Sequence, residues 1–389
     1  MKKSVIVLVC CICFGTFALS GCSFVKTVKE TPEEVPEVIY EHGDGSADNP
    51  YIISSSKQLD SVRLNLGASY KLANDIDMDD FVFKPIGTES EPFTGNFDGA
   101  GYAIRYLTFN SEKHSKGIPY LGTFGYLRGA SVKNLCIEKF DTNVSCDIEG
   151  ILAGYAGSET IIENCRVSGG GRYYGDVNGG IVGKLASRSQ ILNSYADILI
   201  SSGEICGGIV GEVAESTVSG CKAVGTLYCE EYNYSLNGKS ISGGLVGSLK
   251  SGKVTNCYSL VAIADKDTGW TFGSWGIGGG LFGTLTGGKV SFCYAGGELT
   301  GKNKPGAIYA TNSGATIENV INHYDGTGVS YAYSGGKKVD PDGNVIAPDG
   351  ILVYTSEQMT DSTNFADWNK EVWDIKDGEY PELKHFTKA

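Results

Sequence analysis

From residue 116 to 325 the chain repeats one pattern of small and apolar positions: two glycines, two apolar residues and a third glycine. It stands at Gly179–Gly183, Gly207–Gly211, Gly243–Gly247 and Gly279–Gly283. Weaker copies occupy Leu121–Gly125 and Gly150–Gly154, and a degenerate one Pro305–Tyr309. Their last positions are spaced 29, 29, 28, 36, 36 and 26 residues apart. A fixed period of this size marks a solenoid in which each repeat touches only its neighbours.

Two further columns keep the same phase. Ten or eleven residues after each string stand Leu135, Cys165, Ser194, Cys221, Cys257, Cys293 and Val320. Three residues before each of these is a β-branched residue: Val132, Ile162, Ile191, Val218, Val254, Val290 and Ile317. The position between the columns is mostly Asn: 134, 164, 193, 256 and 319. Both apolar columns can face inward only if the chain turns a corner at the Asn, which tolerates the left-handed region and hydrogen-bonds locally. Short β segments, corners and no helical period predict an all-β fold, a right-handed parallel β-helix with one coil per ~28-residue repeat. Short helical and aromatic caps are expected at its ends. Ser55-Ser56-Lys57-Gln58 reads as a capping box with Leu59, Val62 and Leu66 at helical spacing, and Thr355-Ser356-Glu357-Gln358 repeats it. Trp368, Trp373, Ile375, Tyr380 and Leu383 supply apolar area for the C-terminal cap.

The N-terminus sets the compartment. Lys2 and Lys3 precede an apolar run from Val5 to Leu19, too short for a comfortable membrane span, which ends Leu19-Ser20-Gly21-Cys22. This resembles a bacterial lipobox, in which the Cys22 thiol would carry a diacylglyceryl group and anchor the mature chain to membrane lipid. The expected organisation is a lipoprotein signal peptide (1–21), a tether (22–42), an N-terminal cap with the first coils (43–115), the repeat body (116–325), and a loop with a C-terminal cap (326–389). The expected location is extracytoplasmic, at the membrane or cell surface.

At Gly244-Leu245-Val246-Gly247 and Gly280-Leu281-Phe282-Gly283 the chain resembles the GLUG-repeat family. Tyr70–Asp77 and Phe93–Gly99 extend the likeness, which covers roughly residues 45–325 with its motifs in the expected order. Tyr309, in place of the final Gly, departs from the pattern. The resemblance implies a right-handed β-helix of the kind found in bacterial surface proteins, including the non-catalytic region of immunoglobulin-A-cleaving metalloproteases.

Composition narrows the function. The chain has 389 residues, 55 of them Gly, and a net charge of −13; residues 1–21 hold two Lys and no acids, so the rest is more acidic still. That disfavours nucleic acid as a partner. None of the four histidines starts a His-Glu-x-x-His motif, and Gly278–Gly283 fits a dinucleotide fingerprint only as part of the repeat. No catalytic residue, metal site or cofactor is expected. Asp75, Asp77, Asp79 and Asp80 read as a solvated turn beside an alternating strand Ala73–Met78. Asp176, Glu204, Glu212, Glu215, Glu230 and Glu231 read as scattered over different phases. Cys165, Cys221, Cys257 and Cys293 fit one interior column, where parallel neighbours have poor disulfide geometry, leaving Cys146, Cys206 and Cys229 as candidates for any disulfide.

The extra length of the 36-residue repeats falls at one phase and is aromatic: Tyr232 and Tyr234 in one insert, Trp270, Phe272 and Trp275 in the other, with Tyr173 and Tyr174 at nearly that phase earlier. Equal phase predicts one aromatic edge able to take a glycan or a host or neighbouring-cell protein. Three roles stay open: a non-enzymatic adhesion or ligand-binding protein, an envelope spacer on which the aromatics merely cover the wall, and a β-helix polysaccharide lyase or glycosidase.

Overall fold

The structure, a computed structural model, describes residues 40–110, 118–172, 175–202, 204–229, 240–265, 277–299, 306–323 and 350–387. Within them the chain is a parallel β-helix. One coil shows the plan: a first wall at Ile205–Gly207, a second at Val210–Val213, a third at Ser216–Ser219 and a fourth at Lys222–Cys229. Each pairs in parallel with its counterpart one coil on, at Ile241–Gly243, Val246–Leu249, Gly252–Thr255 and Tyr258–Asp265. First-wall strands build a six-stranded sheet and second-wall strands a seven-stranded one.

The repeated glycines make the corner between the first two walls. A Cβ on Gly179, Gly207, Gly243 or Gly279 would lie 1.9–2.0 Å from the carbonyl oxygen of Val182, Val210, Val246 or Phe282. The third glycine of each string, at 183, 211, 247 and 283, meets a methyl of Ile148, Val177, Ile205 or Ile241 from the preceding coil. No larger residue fits either place without moving backbone. The apolar pair between them, such as Ile209-Val210 or Leu245-Val246, is fully buried.

The second corner, between third and fourth walls, lies at the Asn column. Asn134, Asn164, Asn193, Asn256 and Asn319 have φ of 49–53°, and Gly220 and Phe292 hold the same place at 66° and 53°. The reset of side-chain parity buries both flanking columns: Val132, Ile162, Ile191, Val218, Val254 and Val290 on one side, and Leu135 through Val320 on the other. The small members of the second column share a hydrogen bond. Cys165, Cys221, Cys257 and Cys293 direct Sγ at the carbonyl two residues back, at 3.1–3.4 Å, and Ser194 Oγ does the same at 2.7 Å. Thiol and hydroxyl are interchangeable there because both add a second donor to a carbonyl that already accepts the backbone N–H of the neighbouring coil's corner residue, as Glu163 O does from Asn134 N at 3.0 Å and Ser219 O from Asn193 N at 2.9 Å.

Three details differ from the sequence reading. Phe282 pairs with Tyr309 and Gly279 with Gly306, so the last string is Gly306–Ala310, with the small Ala310 in the position of the third glycine. The strand expected over Ala73–Met78 is confined to Ile76–Asp77. Tyr40, assigned to the tether, stacks on Tyr51 at 4.6 Å and donates to Gln58 O.

Both ends carry their helices. The first, Ser56–Asp60, is capped by Ser55 Oγ, while Gln58 Oε1 turns back to Ser54 N at 2.7 Å. The second, Ser356–Met359, has a complete capping box between Thr355 and Gln358 and follows strand Ile351–Tyr354, the last of the fourth wall. The C-terminal segment then runs back along the outside of that wall. Met359, Phe365, Trp368, Trp373 and Leu383 form a second core with the outward-facing Tyr258, Tyr294 and Ile321. Trp373 Nε1 donates to the corner residue Asn256 at 3.2 Å, and Phe386 reaches Tyr195. The aromatic cap thus buttresses a flank across several coils.

Gly207→Ala should lower stability by about 3 kcal/mol through forced backbone displacement, whereas Gly67→Ala, with only Thr94 Oγ1 at 3.7 Å, should change it by less than about 0.5 kcal/mol; urea unfolding of both variants checks this. Burial pushes the Cys165 thiol up to about 12, and Cys221 and Cys257 well above the usual range. In the native protein these thiols and fully buried Cys293 should resist maleimide labelling mapped by mass spectrometry, and should all label in denaturant.

Candidate functional site

The fourth-wall strands hold the site. Their ends stack in register: Arg172 pairs with Ser201, Ser202 with Cys229, and Cys229 with Asp265. The first-wall strands that follow also stack, with Val177, Ile205, Ile241 and Ile277 on consecutive coils. Every segment joining the two walls is therefore pinned at both ends on neighbouring coils, about 4.8 Å apart. All the connecting segments leave from one edge of the helix. Tyr173, Tyr174, Tyr232, Tyr234, Trp270, Phe272 and Trp275 belong to those segments and lie outside the described residues, as does Cys22.

Beside this edge the fourth wall carries an open groove of about 720 Å³, lined by Phe140, Asp141, Ser168 to Gly171, Asp197 to Leu199, Ser201, Gly225, Thr226 and Tyr228. Its origin is one missing side chain: a Cβ on Gly170 would lie 1.9 Å from Leu199 O, so the position carries none. The outward row runs Asp141, Gly170, Leu199, Thr226, so Gly170 opens a notch between an acid and an exposed Leu. Lys139, at φ 57°, bulges out of the strand before it and shifts the register between Ile137 and Phe140. Gly169 and Gly171 accommodate the shift at φ 143°. The next outward row holds Ser168 and Asp197. The notch is thus a glycine floor with carboxylates on two sides, four hydroxyl-bearing residues (Ser168, Ser201, Thr226 and Tyr228) around it and the exposed Leu199 beside them.

A second acidic feature follows the edge itself. Because Ile148 pairs with Val177 and Val177 with Ile205, the preceding residues Asp147, Asp176 and Glu204 stand on three consecutive coils. Burial, with Glu204 and Asp147 as neighbours, raises the Asp176 carboxyl. Asp176 and Glu204, read from the sequence as scattered, share one phase with Asp147: each stands three residues before the first glycine of the string that follows it. Glu212 does not join them. Its carboxylate, nearly buried, is held by Lys184 at 2.9 Å and Lys250 at 2.7 Å from the coils on either side.

The remaining candidates are structural. Asp75 accepts from Ala103 N and pairs with Arg105 at 2.6 Å, which hold its carboxyl below the usual range, and Asp77 accepts from Asp79 N. Cys146 is a buried free thiol, Cys206 lies inside the first wall in register with Asn178 and Ser242, and the Cys229 side chain is outside the described residues. The groove is what sequence reasoning missed. Its signal, Gly169-Gly170-Gly171 inside a strand, is legible only once the outward row is known.

No protein-family model matches the chain. Among curated proteins it is similar to a Gly-rich membrane protein of Evansella cellulosilytica, 32% identical over 108 residues, and to a halomucin of Haloquadratum walsbyi, 33% identical over 162 residues. These matches cover 25% and 37% of this chain but only 12% and 2% of the relatives. Among solved structures, a Bacteroides ovatus protein assigned as an immunoglobulin A1 protease matches with a TM-score of 0.55 at 19% identity, over 89% of this chain and 95% of that one. A structure named IgA1 protease matches with a TM-score of 0.52 at 16% identity, over 87% of this chain and 26% of that one. At those identities the likeness is one of fold: the chain shares its β-helix with proteins of the immunoglobulin-A-protease type.

Proposed function

We propose that the protein is a lipid-anchored, extracytoplasmic surface protein that uses the notched edge of its β-helix to bind glycan without turning it over. The observation that carries this reading is the pinning of all the inter-wall segments, aromatic inserts included, on neighbouring coils directly beside a glycine-floored groove. Sugar rings are recognised by carboxylates and hydroxyls that take their OH groups and by flat aromatic faces that take their C–H faces. The groove offers Asp141, Asp197, Ser168 and Ser201, and the edge supplies the aromatics. Asp147, Asp176 and Glu204 line the same edge, so a neutral or amino-sugar chain suits it and a sulfated or uronic one is repelled.

Binding is favoured over retaining hydrolysis by the spacing of the groove acids. Asp141 and Asp197 sit two coils apart, about 10 Å between backbones along the axis, well outside the ~5 Å of a retaining glycosidase pair. For the compartment, the lipobox-like Leu19-Ser20-Gly21-Cys22 and the names of the two curated relatives, a membrane protein and a halomucin, point the same way. An anchored, binding β-helix accounts for the groove and the inserts, which a bare spacer would not need.

Asp141→Ala with Asp197→Ala should weaken binding to the best hit of a glycan array at least tenfold, and Trp270→Ala with Trp275→Ala likewise. Both acids are exposed, so stability should stay within about 0.5 kcal/mol of wild type. Unchanged affinity in both double variants, or new reducing ends in the bound glycan, would overturn the reading. Metabolic labelling with a fatty-acid analogue should mark the wild type and not Cys22→Ser.

A further inference from the structure

At one place in the groove the wall offers a hole instead of a side chain. A Cβ on Gly170 would lie 1.9 Å from Leu199 O, so no larger residue fills the position without moving backbone. The register names what surrounds it. Asp141 and Leu199 stand on the coils to either side, about 4.8 Å away. Ser168, the next outward position on the same strand, is roughly 7 Å away. All three line the same groove. Leu199 is 57% exposed, more than any other large apolar side chain among the described residues.

No Lys or Arg lines the groove among the described residues. Lys139, two residues before Asp141, is turned onto Tyr106, with Nζ 4.4 Å from the ring centroid. The polar groups on the inner side take no part, since Thr142, Glu149 and its register partner Asn178 are buried in the core. The hole therefore presents a carboxylate that accepts, a hydroxyl that donates and an aliphatic surface left in water.

Granted the glycan-binding role proposed for this edge, we infer that the Gly170 notch takes the acetamido group of an N-acetylated amino sugar. That group is about as large as one Asn side chain, so it fills the room that one missing side chain leaves. Its N–H donates to Asp141, its carbonyl accepts from the Ser168 hydroxyl and its methyl covers Leu199. Other substituents satisfy fewer of the three. A plain hydroxyl reaches Asp141 and leaves Leu199 exposed. A free ammonium pairs with the carboxylate but brings charge against the Leu. A deoxy-sugar methyl covers Leu199 without a donor for Asp141, and a carboxylate or sulfate is repelled by Asp141 and Asp197. Asp197 and Ser201, the outward neighbours of Leu199 on its own strand, are left for ring hydroxyls.

The test is binding of the full chain, at neutral pH, to matched oligosaccharides of the gluco and galacto series that differ only in carrying an acetamido group, a free amine or a hydroxyl at C2. In one series the acetamido form should bind at least about tenfold more tightly than the other two. Leu199→Ser and Asp141→Ala, both at exposed positions, should each bring that ratio below about threefold, with the unfolding midpoint confirming an intact fold. Tightest binding of the free amine would make the notch an ammonium site, and equal binding of the hydroxyl form would leave C2 unread. A preference unchanged in both variants would put the acetamido group elsewhere. Each of these overturns the inference, as does binding of no member of either series. In that last case a broader glycan array separates the two readings: another glycan bound leaves the edge its glycan-binding role, and an array without hits removes that role as well.

Discussion

The fold depends on backbone meeting backbone at the corner between the first and second walls. Where a carbonyl oxygen lies 1.9–2.0 Å from the place a Cβ would take, only glycine closes the turn, and the corner recurs once per coil. That repetition holds successive coils in one register, and register in a parallel stack decides which side chains become neighbours. The extra residues of the longer repeats are accommodated without disturbing it, because they leave from the opposite edge and both their ends are pinned.

A stack of this kind turns sequence distance into spatial adjacency at a fixed exchange of one coil for about 4.8 Å. Asp147, Asp176 and Glu204 become a row, and Gly170 becomes a notch because it interrupts a row that has side chains on both sides of it. The interior obeys the same rule with a different outcome. Its Cys and Ser column serves the corner carbonyls through one shared hydrogen bond, while Thr142, Glu149 and Asn178 sit at the level where Gly169 and Gly171 shift the strand. The coils around the Lys139 bulge are thus notched outside and polar inside.

The C-terminal segment shows a different kind of interaction. Its aromatics pack on one another, Trp368 with Phe365 at 5.2 Å and with Trp373 at 4.6 Å, and against Tyr258, Tyr294 and Ile321, which face outward and would otherwise leave an apolar stripe on the fourth wall. Lys222 and Glu382 at 3.2 Å, with Tyr294 OH donating to Pro381 O, set the alignment. Only part of the wall is covered, and the groove lies on the uncovered part, toward the strand ends from which the inserts leave.

The repeat, the one-coil-per-repeat β-helix, the left-handed Asn corner, the two inward columns and both capping helices were legible in the amino-acid order, because each rests on contacts within one coil or on a period that every coil repeats. The anchoring edge of the aromatic inserts was legible for the same reason. What only the tertiary structure decided are features made by one segment against another: the groove at Gly170, the buried meeting of Glu149 with Asn178, and the docking of Trp373 on Asn256. The last coil's string, one residue later than its glycines suggested, belongs with these. Pairing between coils is set by which residues fit over which, and a side chain's neighbour one coil away is named by register, a quantity that a local bulge or an insert changes without leaving any mark in the composition of the segment.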